Sequence, residues 1–165
     1  MKLNVRPLLF LGLGLSLSAS PLPPPEASQF DFWLGEWIVM APDGKNAGTN
    51  RVVKISGGWG LLENWTGANG VTGHSLNTYQ ASGGVWRQFW VGAGGVLELK
   101  GGLDLLGNMV LSGETTGHDG TVRRHRITWT PRSDGNVRQF WESSNDGGLT
   151  WTPVFDGLYR RKSVK

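Results

Sequence analysis

From residue 30 onward the chain runs as short segments in which apolar or aromatic residues alternate with polar ones, each closed by a turn. The segments cover residues 30–40, 50–56, 60–66, 74–79, 85–91, 96–100, 109–114, 121–130, 137–143 and 150–161. Alternation with period two points to half-buried strands, and no window sustains the 3.6-residue period of an amphipathic helix. Pro42-Asp43-Gly44-Lys45 and the paired glycines Gly57-Gly58, Gly83-Gly84, Gly94-Gly95, Gly101-Gly102 and Gly147-Gly148 supply the punctuation. Short strands at regular spacing predict an all-β sandwich or barrel. Successive hairpins favour an antiparallel up-and-down β-barrel of about ten strands, because closure removes exposed sheet edges.

Two hairpins can be placed in register from the pattern alone. If Tyr79 faces Trp86, then Asn77 meets Gln88 and Ser75 meets Trp90. All six side chains then share one face. A loop over 131–136 would pair Thr130 with Val137, Thr128 with Gln139 and Arg126 with Trp141. Glu63 and Trp65 share a face of their own strand. Aromatic rings interleaved with a few amides and charges read as the wall of a ligand cavity. The expected site is Glu63, Trp65, Asn77, Tyr79, Gln88, Trp90, Arg126, Gln139 and Trp141. Arg126 would meet an anionic or carbonyl group, and the tryptophans would stack on flat or apolar parts.

The chain's start is a separate piece. Lys2 and Arg6 precede an apolar run over 8–17, followed by small residues up to Ser20. That run is too short to cross a membrane, which takes about 20 apolar residues. With its basic start and small-residue end it has the form of a secretory signal peptide over 1–20. A proline-rich spacer over 21–29 leads to the barrel domain at 30–162. The expected address is exported, periplasmic or extracellular, with no stable membrane insertion after cleavage.

Composition narrows the chemistry. The chain holds 165 residues, with 26 Gly, 9 Trp and no Cys, so disulfides and thiolate chemistry are excluded. Its net charge is +3, and setting aside Lys2 and Arg6 leaves +1. Without a broad basic face, nucleic acid is not an expected partner. No HExxH pattern or carboxylate cluster appears, and no metal site is expected. His125 lies mid-strand between Arg124 and Arg126 and reads as outward-facing. If it turned inward it could ligate haem, and otherwise no cofactor is expected. Glu63, between Leu62 and Trp65, would need either a partner such as Arg126 or a raised pKa if buried. No pattern fixes a catalytic residue or the oligomeric state.

Phe30-Asp31-Phe32-Trp33-Leu34-Gly35-Glu36-Trp37, together with Tyr159-Arg160-Arg161 at the far end, resembles the calycin plan of lipocalins and fatty-acid-binding proteins. The resemblance implies a barrel with Trp37 plugging one end and Arg161 packed across its indole. It implies small-molecule binding and no particular reaction. The FxFWLGxW opening is also similar to that of small bacterial lipocalin-like domains, and Glu63-x-Trp65, Ser75-x-Asn77-x-Tyr79 and Trp86-x-Gln88-x-Trp90 fit that pattern. Residues 144–151 resemble the Asp-box of sialidase propeller blades, with Ser144, Asp146, Gly148, Thr150 and Trp151 at its fixed positions. One copy suits a rigid hairpin turn better than a propeller. The leading reading is an exported small-molecule binder. The alternatives are an isomerase or hydrolase using Glu63 or His125 in the same cavity, and an envelope interaction protein.

Overall fold

The computed structural model describes residues 21–162, so the signal peptide expected over 1–20 lies outside the described residues. Ten antiparallel strands form a closed barrel in simple sequence order. They are β1 (Gly35–Met40), β2 (Asn46–Ile55), β3 (Gly60–Gly67), β4 (Thr72–Gln80), β5 (Val85–Gly92), β6 (Gly95–Leu103), β7 (Met109–Thr116), β8 (Val122–Pro131), β9 (Val137–Ser144) and β10 (Thr152–Arg161). Each strand pairs with the next, and β1 pairs with β10 to close the ring, Trp37 opposite Arg161. This is the up-and-down barrel that the alternating pattern predicts, with each predicted segment contributing one strand. The propeller alternative falls with it.

One end of the barrel is plugged. The segment 30–34 does not extend β1, as the sequence pattern suggested. It makes a 3-10 turn at Asp31–Trp33 that folds under the barrel, and Phe30 and Trp33 become fully buried. Four apolar residues within five positions cannot alternate across a sheet, so this stretch is better satisfied as a plug. Phe30 stacks on Trp33 and meets Trp86 and Trp129 edge-on. The expected spacer contributes as well: a 3-10 turn at Pro25–Ser28 buries Ala27, and the Gln29 amide accepts a hydrogen bond from Trp86 Nε1 at 3.1 Å.

Trp37 stands beside this plug. Its Nε1 donates to the Trp33 carbonyl at 3.0 Å, and the Arg161 guanidinium lies over its ring at 4.6 Å. Arg161 also donates to the Leu34 carbonyl at 3.2 Å. The first and last strands are thus locked where they meet, and the geometry matches the closure implied for Trp37 and Arg161.

The barrel interior is layered. Above the aromatic plug sit Asn50, Glu63, Ser75, Asn77 and Gln88, all buried and on neighbouring strands β2 to β5. Above these lie Trp65, Trp90, Trp141 and Phe155, which are half-buried and pack on the core. No helix among the described residues is long and apolar enough to cross a membrane.

Candidate functional site

A cavity of about 190 Å³ occupies the unplugged half of the barrel. Its walls are Trp65, Trp90, Trp141 and Phe155, with Leu97, Ile127 and Val154 between them. Its polar lining consists of Glu63, Gln88, Gln139 and Tyr159. The first hairpin holds the predicted register, with Tyr79 opposite Trp86, Asn77 opposite Gln88 and Ser75 opposite Trp90. The loop that sets this register carries Gly84 at φ 61°, a left-handed conformation natural to glycine.

Glycines determine where the wall rings lie. A Cβ built on Gly73 would stand 2.2 Å from the Trp90 ring, and one on Gly48 would stand 2.8 Å from the Trp65 ring. Gly157 is filled in the same way by Phe155, at 2.5 Å. These indoles and the phenyl ring therefore lie against bare backbone, which leaves the space in front of them open.

Glu63 sits at the base of this space and is only 4% exposed. Its Oε1 accepts from the Asn50 amide at 2.7 Å and its Oε2 from the Ser75 hydroxyl at 2.6 Å. Burial pushes its carboxyl up to about 7, against the opposing pull of those two hydrogen bonds. Both donors are neutral, and two neutral hydrogen bonds recover only part of the cost of removing a carboxylate from water. The network continues through Asn77, which donates to Ser75 Oγ at 2.9 Å and accepts from Gln88 at 2.8 Å. On the far side the Tyr159 hydroxyl donates to Gln139, and its own pKa is raised well above the usual value by burial and by the neighbouring Glu63 charge. Asn50 Oδ1 has no hydrogen-bond partner. Turning that amide over would set an acceptor against Glu63, so the network can serve the protonated acid as well as the carboxylate.

Of the nine residues expected to line a site, Glu63, Trp65, Gln88, Trp90, Gln139 and Trp141 meet around the cavity. Asn77 is fully buried behind Glu63 as part of the hydrogen-bond network. Tyr79 lies at the plugged end against Trp86, at 6.1 Å between rings. Sequence reasoning missed Leu97, Ile127, Val154, Phe155 and Tyr159. Tyr159 was in view only as a neighbour of the closing arginine, although its phase on β10 matches that of Phe155.

Arg126 is the main correction. The second hairpin pairs Pro131 with Val137, Trp129 with Gln139 and Ile127 with Trp141, one residue away from the predicted register. A one-residue slip exchanges the two faces of a strand. Arg126 therefore points outward, where it pairs with Glu142 at 3.0 Å and stacks over Trp151 at 4.3 Å. The same slip turns His125 inward, against the outward orientation expected for it. His125 Nδ1 accepts from Trp141 Nε1 at 3.2 Å, so its Nε2 carries the proton and donates to Thr115 Oγ1 at 2.9 Å. Burial, and secondarily the nearby Arg123 charge, lower its pKa. Both ring nitrogens of His125 are engaged in these hydrogen bonds. Among the described residues, no group of three or more His, Asp or Glu is placed to hold a metal ion.

The turn after β9 is tightly bonded. Ser144 Oγ donates to Asp146 at 2.7 Å and accepts from the Gly148 amide at 2.9 Å. Asp146 accepts from the Thr150 amide at 2.9 Å and from its hydroxyl at 2.5 Å, and Trp151 Nε1 donates to the Gly148 carbonyl at 3.1 Å. Ser144, Asp146, Gly148, Thr150 and Trp151 thus bond to one another across a hairpin outside the cavity.

No protein-family model matches the chain. No curated protein shows significant similarity to it.

Proposed function

We propose that this protein is an exported binder of a small organic molecule, held in the barrel cavity. The observation that supports this most directly is the division of the cavity surface: aromatic walls on bare glycine backbone, above a base of Glu63, Gln88, Gln139 and Tyr159. An apolar pocket with a few convergent polar groups is the usual form of a small-ligand site. A cavity of roughly 150 Å³ can take up one benzene. The space here accordingly suits a single ring with a short polar arm. The arm would reach the base and the ring would lie among the indoles. Arg126 takes no part, so the anionic ligand that an inward arginine suggested is not proposed.

The test is a titration of the purified domain with indole and 2-phenylethanol, followed by tryptophan fluorescence and ligand-observed NMR. Saturable binding that is lost when Val154→Trp fills the space beside Trp141 supports the reading. Binding that is absent, or unchanged in that variant, overturns it.

The pKa of Glu63 favours a second reading. A buried acid that titrates near 7 is suited to give or take a proton at neutral pH. An enzyme of this kind would convert its ligand, and Glu63→Gln would abolish product formation while sparing binding. Mass spectrometry of an incubated ligand distinguishes conversion from binding.

A further inference from the structure

The charges inside the barrel are unbalanced. Glu63 faces Asn50 from β2, Ser75 from β4, Gln88 from β5, Gln139 from β9 and Tyr159 from β10, and none of these carries a positive charge. Among the described residues, no Lys or Arg lines this cavity. The inward His125 on β8 has its pKa lowered by burial and by the Arg123 charge, and its ring nitrogens are bonded to Trp141 and Thr115. Of the described arginines near this region, Arg126 pairs with Glu142 and Arg161 lies over Trp37 at the opposite end, while Arg123 stands exposed at the mouth beside His125 and Trp141, bonded to Asn145. Among the described residues, an ionised Glu63 is therefore a buried anion with hydrogen bonds from Asn50 and Ser75 but no cation in contact.

The aromatic walls add to this asymmetry. The face of an indole carries partial negative charge and attracts cations. Three indoles and a phenyl ring surround the approach to Glu63. An anionic ligand seated at the base would meet a carboxylate and negative ring faces, with the nearest described cation, Arg123, out at the mouth. A cationic one would meet the missing counter-charge at the base and favourable ring faces on the way in.

Resting on the reading of the cavity as a ligand site, we infer that its ligand is a small aromatic amine, bound as the ammonium against Glu63 with its ring among Trp65, Trp90 and Trp141. The ammonium donates to the carboxylate, whose two other hydrogen bonds come from Asn50 and Ser75. Gln139 and Gln88 flank the head group and can accept or donate as the amine's substituents require. Binding draws Glu63 into its ionised form, because an adjacent positive charge favours the carboxylate. Below neutral pH the complex therefore forms with release of a proton from Glu63.

The experiment compares 2-phenylethylamine with 2-phenylethanol, which match in shape but differ in charge. Both are titrated calorimetrically at pH 6 and pH 8 into wild type and Glu63→Gln. An alkylammonium stays protonated across this range, so a pH effect reports on the protein. Expected for wild type is about tenfold tighter binding of the amine than of the alcohol at pH 8, the scale of one ion pair in a partly dry site. The amine should weaken at pH 6 while the alcohol does not. Glu63→Gln should erase the preference for the amine over the alcohol, and circular dichroism and the thermal midpoint of the variant show separately that it is folded. Equal binding of the two probes, or a preference that survives Glu63→Gln, overturns the amine inference and leaves the cavity reading standing. If neither probe binds wild type, both fall.

Discussion

The indole of Trp90 occupies the space where a side chain at Gly73 would begin, 2.2 Å from the ring. The two residues lie on adjacent strands, β4 and β5, and the absence of one side chain sets the position of the other. Replacing Gly73 with alanine forces Trp90 forward into the cavity. Overpacking of this kind costs about 1–3 kcal/mol. Gly73→Ala should lower the denaturation midpoint accordingly and abolish probe binding even where the protein remains folded. Denaturant titration and fluorescence binding measure the two effects separately.

Glu63 should leave a signature in the pH dependence of stability. Its carboxyl titrates near 7 in the folded chain, against 4.5 as the ordinary value. The folded state therefore keeps this proton to higher pH than the unfolded state does. The stability associated with it is fully present below pH 4.5 and is lost as pH rises through 7. The loss amounts to roughly 3 kcal/mol. Glu63→Gln lacks this dependence, so the difference in unfolding free energy between wild type and variant should grow against wild type from pH 4.5 to 8. A difference that is flat with pH would show that Glu63 stays ionised throughout.

The contact of Arg161 with Trp37 can be separated from the charge of the arginine. A guanidinium stacked on an indole contributes about 0.5–2 kcal/mol. Arg161→Lys keeps the charge but loses the flat stack and its matched hydrogen bond to the Leu34 carbonyl. It should cost most of that stability, and Arg161→Ala somewhat more. Trp37→Ala should be far more damaging, at about 3–5 kcal/mol for a buried tryptophan. Thermal denaturation of the three variants gives the order.

The Ser144–Trp151 hairpin should behave independently of the cavity. Hydrogen bonds from Thr150 and Ser144 hold the Asp146 carboxyl far below the usual carboxylate range. Asp146→Ala removes the acceptor that organises the turn. The amides of Gly148 and Thr150 should then exchange with solvent much faster. Probe binding should stay within about twofold of wild type, since the turn lies on the outside. Hydrogen exchange resolved by residue tests the first effect and calorimetry the second.

Much of the fold can be read directly from the sequence, because alternation and glycine act over a few residues. The Tyr79–Trp86 hairpin is in register because Gly83-Gly84 closes the turn and fixes where the second strand begins, at Val85. The 131–136 loop misled for a physical reason. Proline lacks an N–H and looks like a strand terminator, yet Pro131 sits in the ladder opposite Val137. Moving the strand end by one residue put Arg126 inside and His125 outside, the reverse of what is found. The 3-10 plug was misread because Phe30, Phe32 and Trp33 have strand-like composition, and only their burial beneath the closed barrel shows their role. The polar layer around Glu63 could be foreseen residue by residue. Its neutrality could not, since that depends on which charges the register leaves outside.

All adjacent pairs among the described strands but one are hairpins, joined through short turns. The exception is the seam between β1 and β10, which joins residues far apart in the chain, Trp37 to Arg161. Nearly all of the sheet can therefore assemble from local contacts, with little loop entropy lost at each step. Ring closure must wait for the last strand, and it alone carries the entropic cost of a long loop. The same seam is where the barrel should first come undone under denaturant, exposing two strand edges that are open to pairing with other chains. The stacked arginine and tryptophan thus act as a clasp against aggregation, at the one place where the barrel can open into an unprotected sheet.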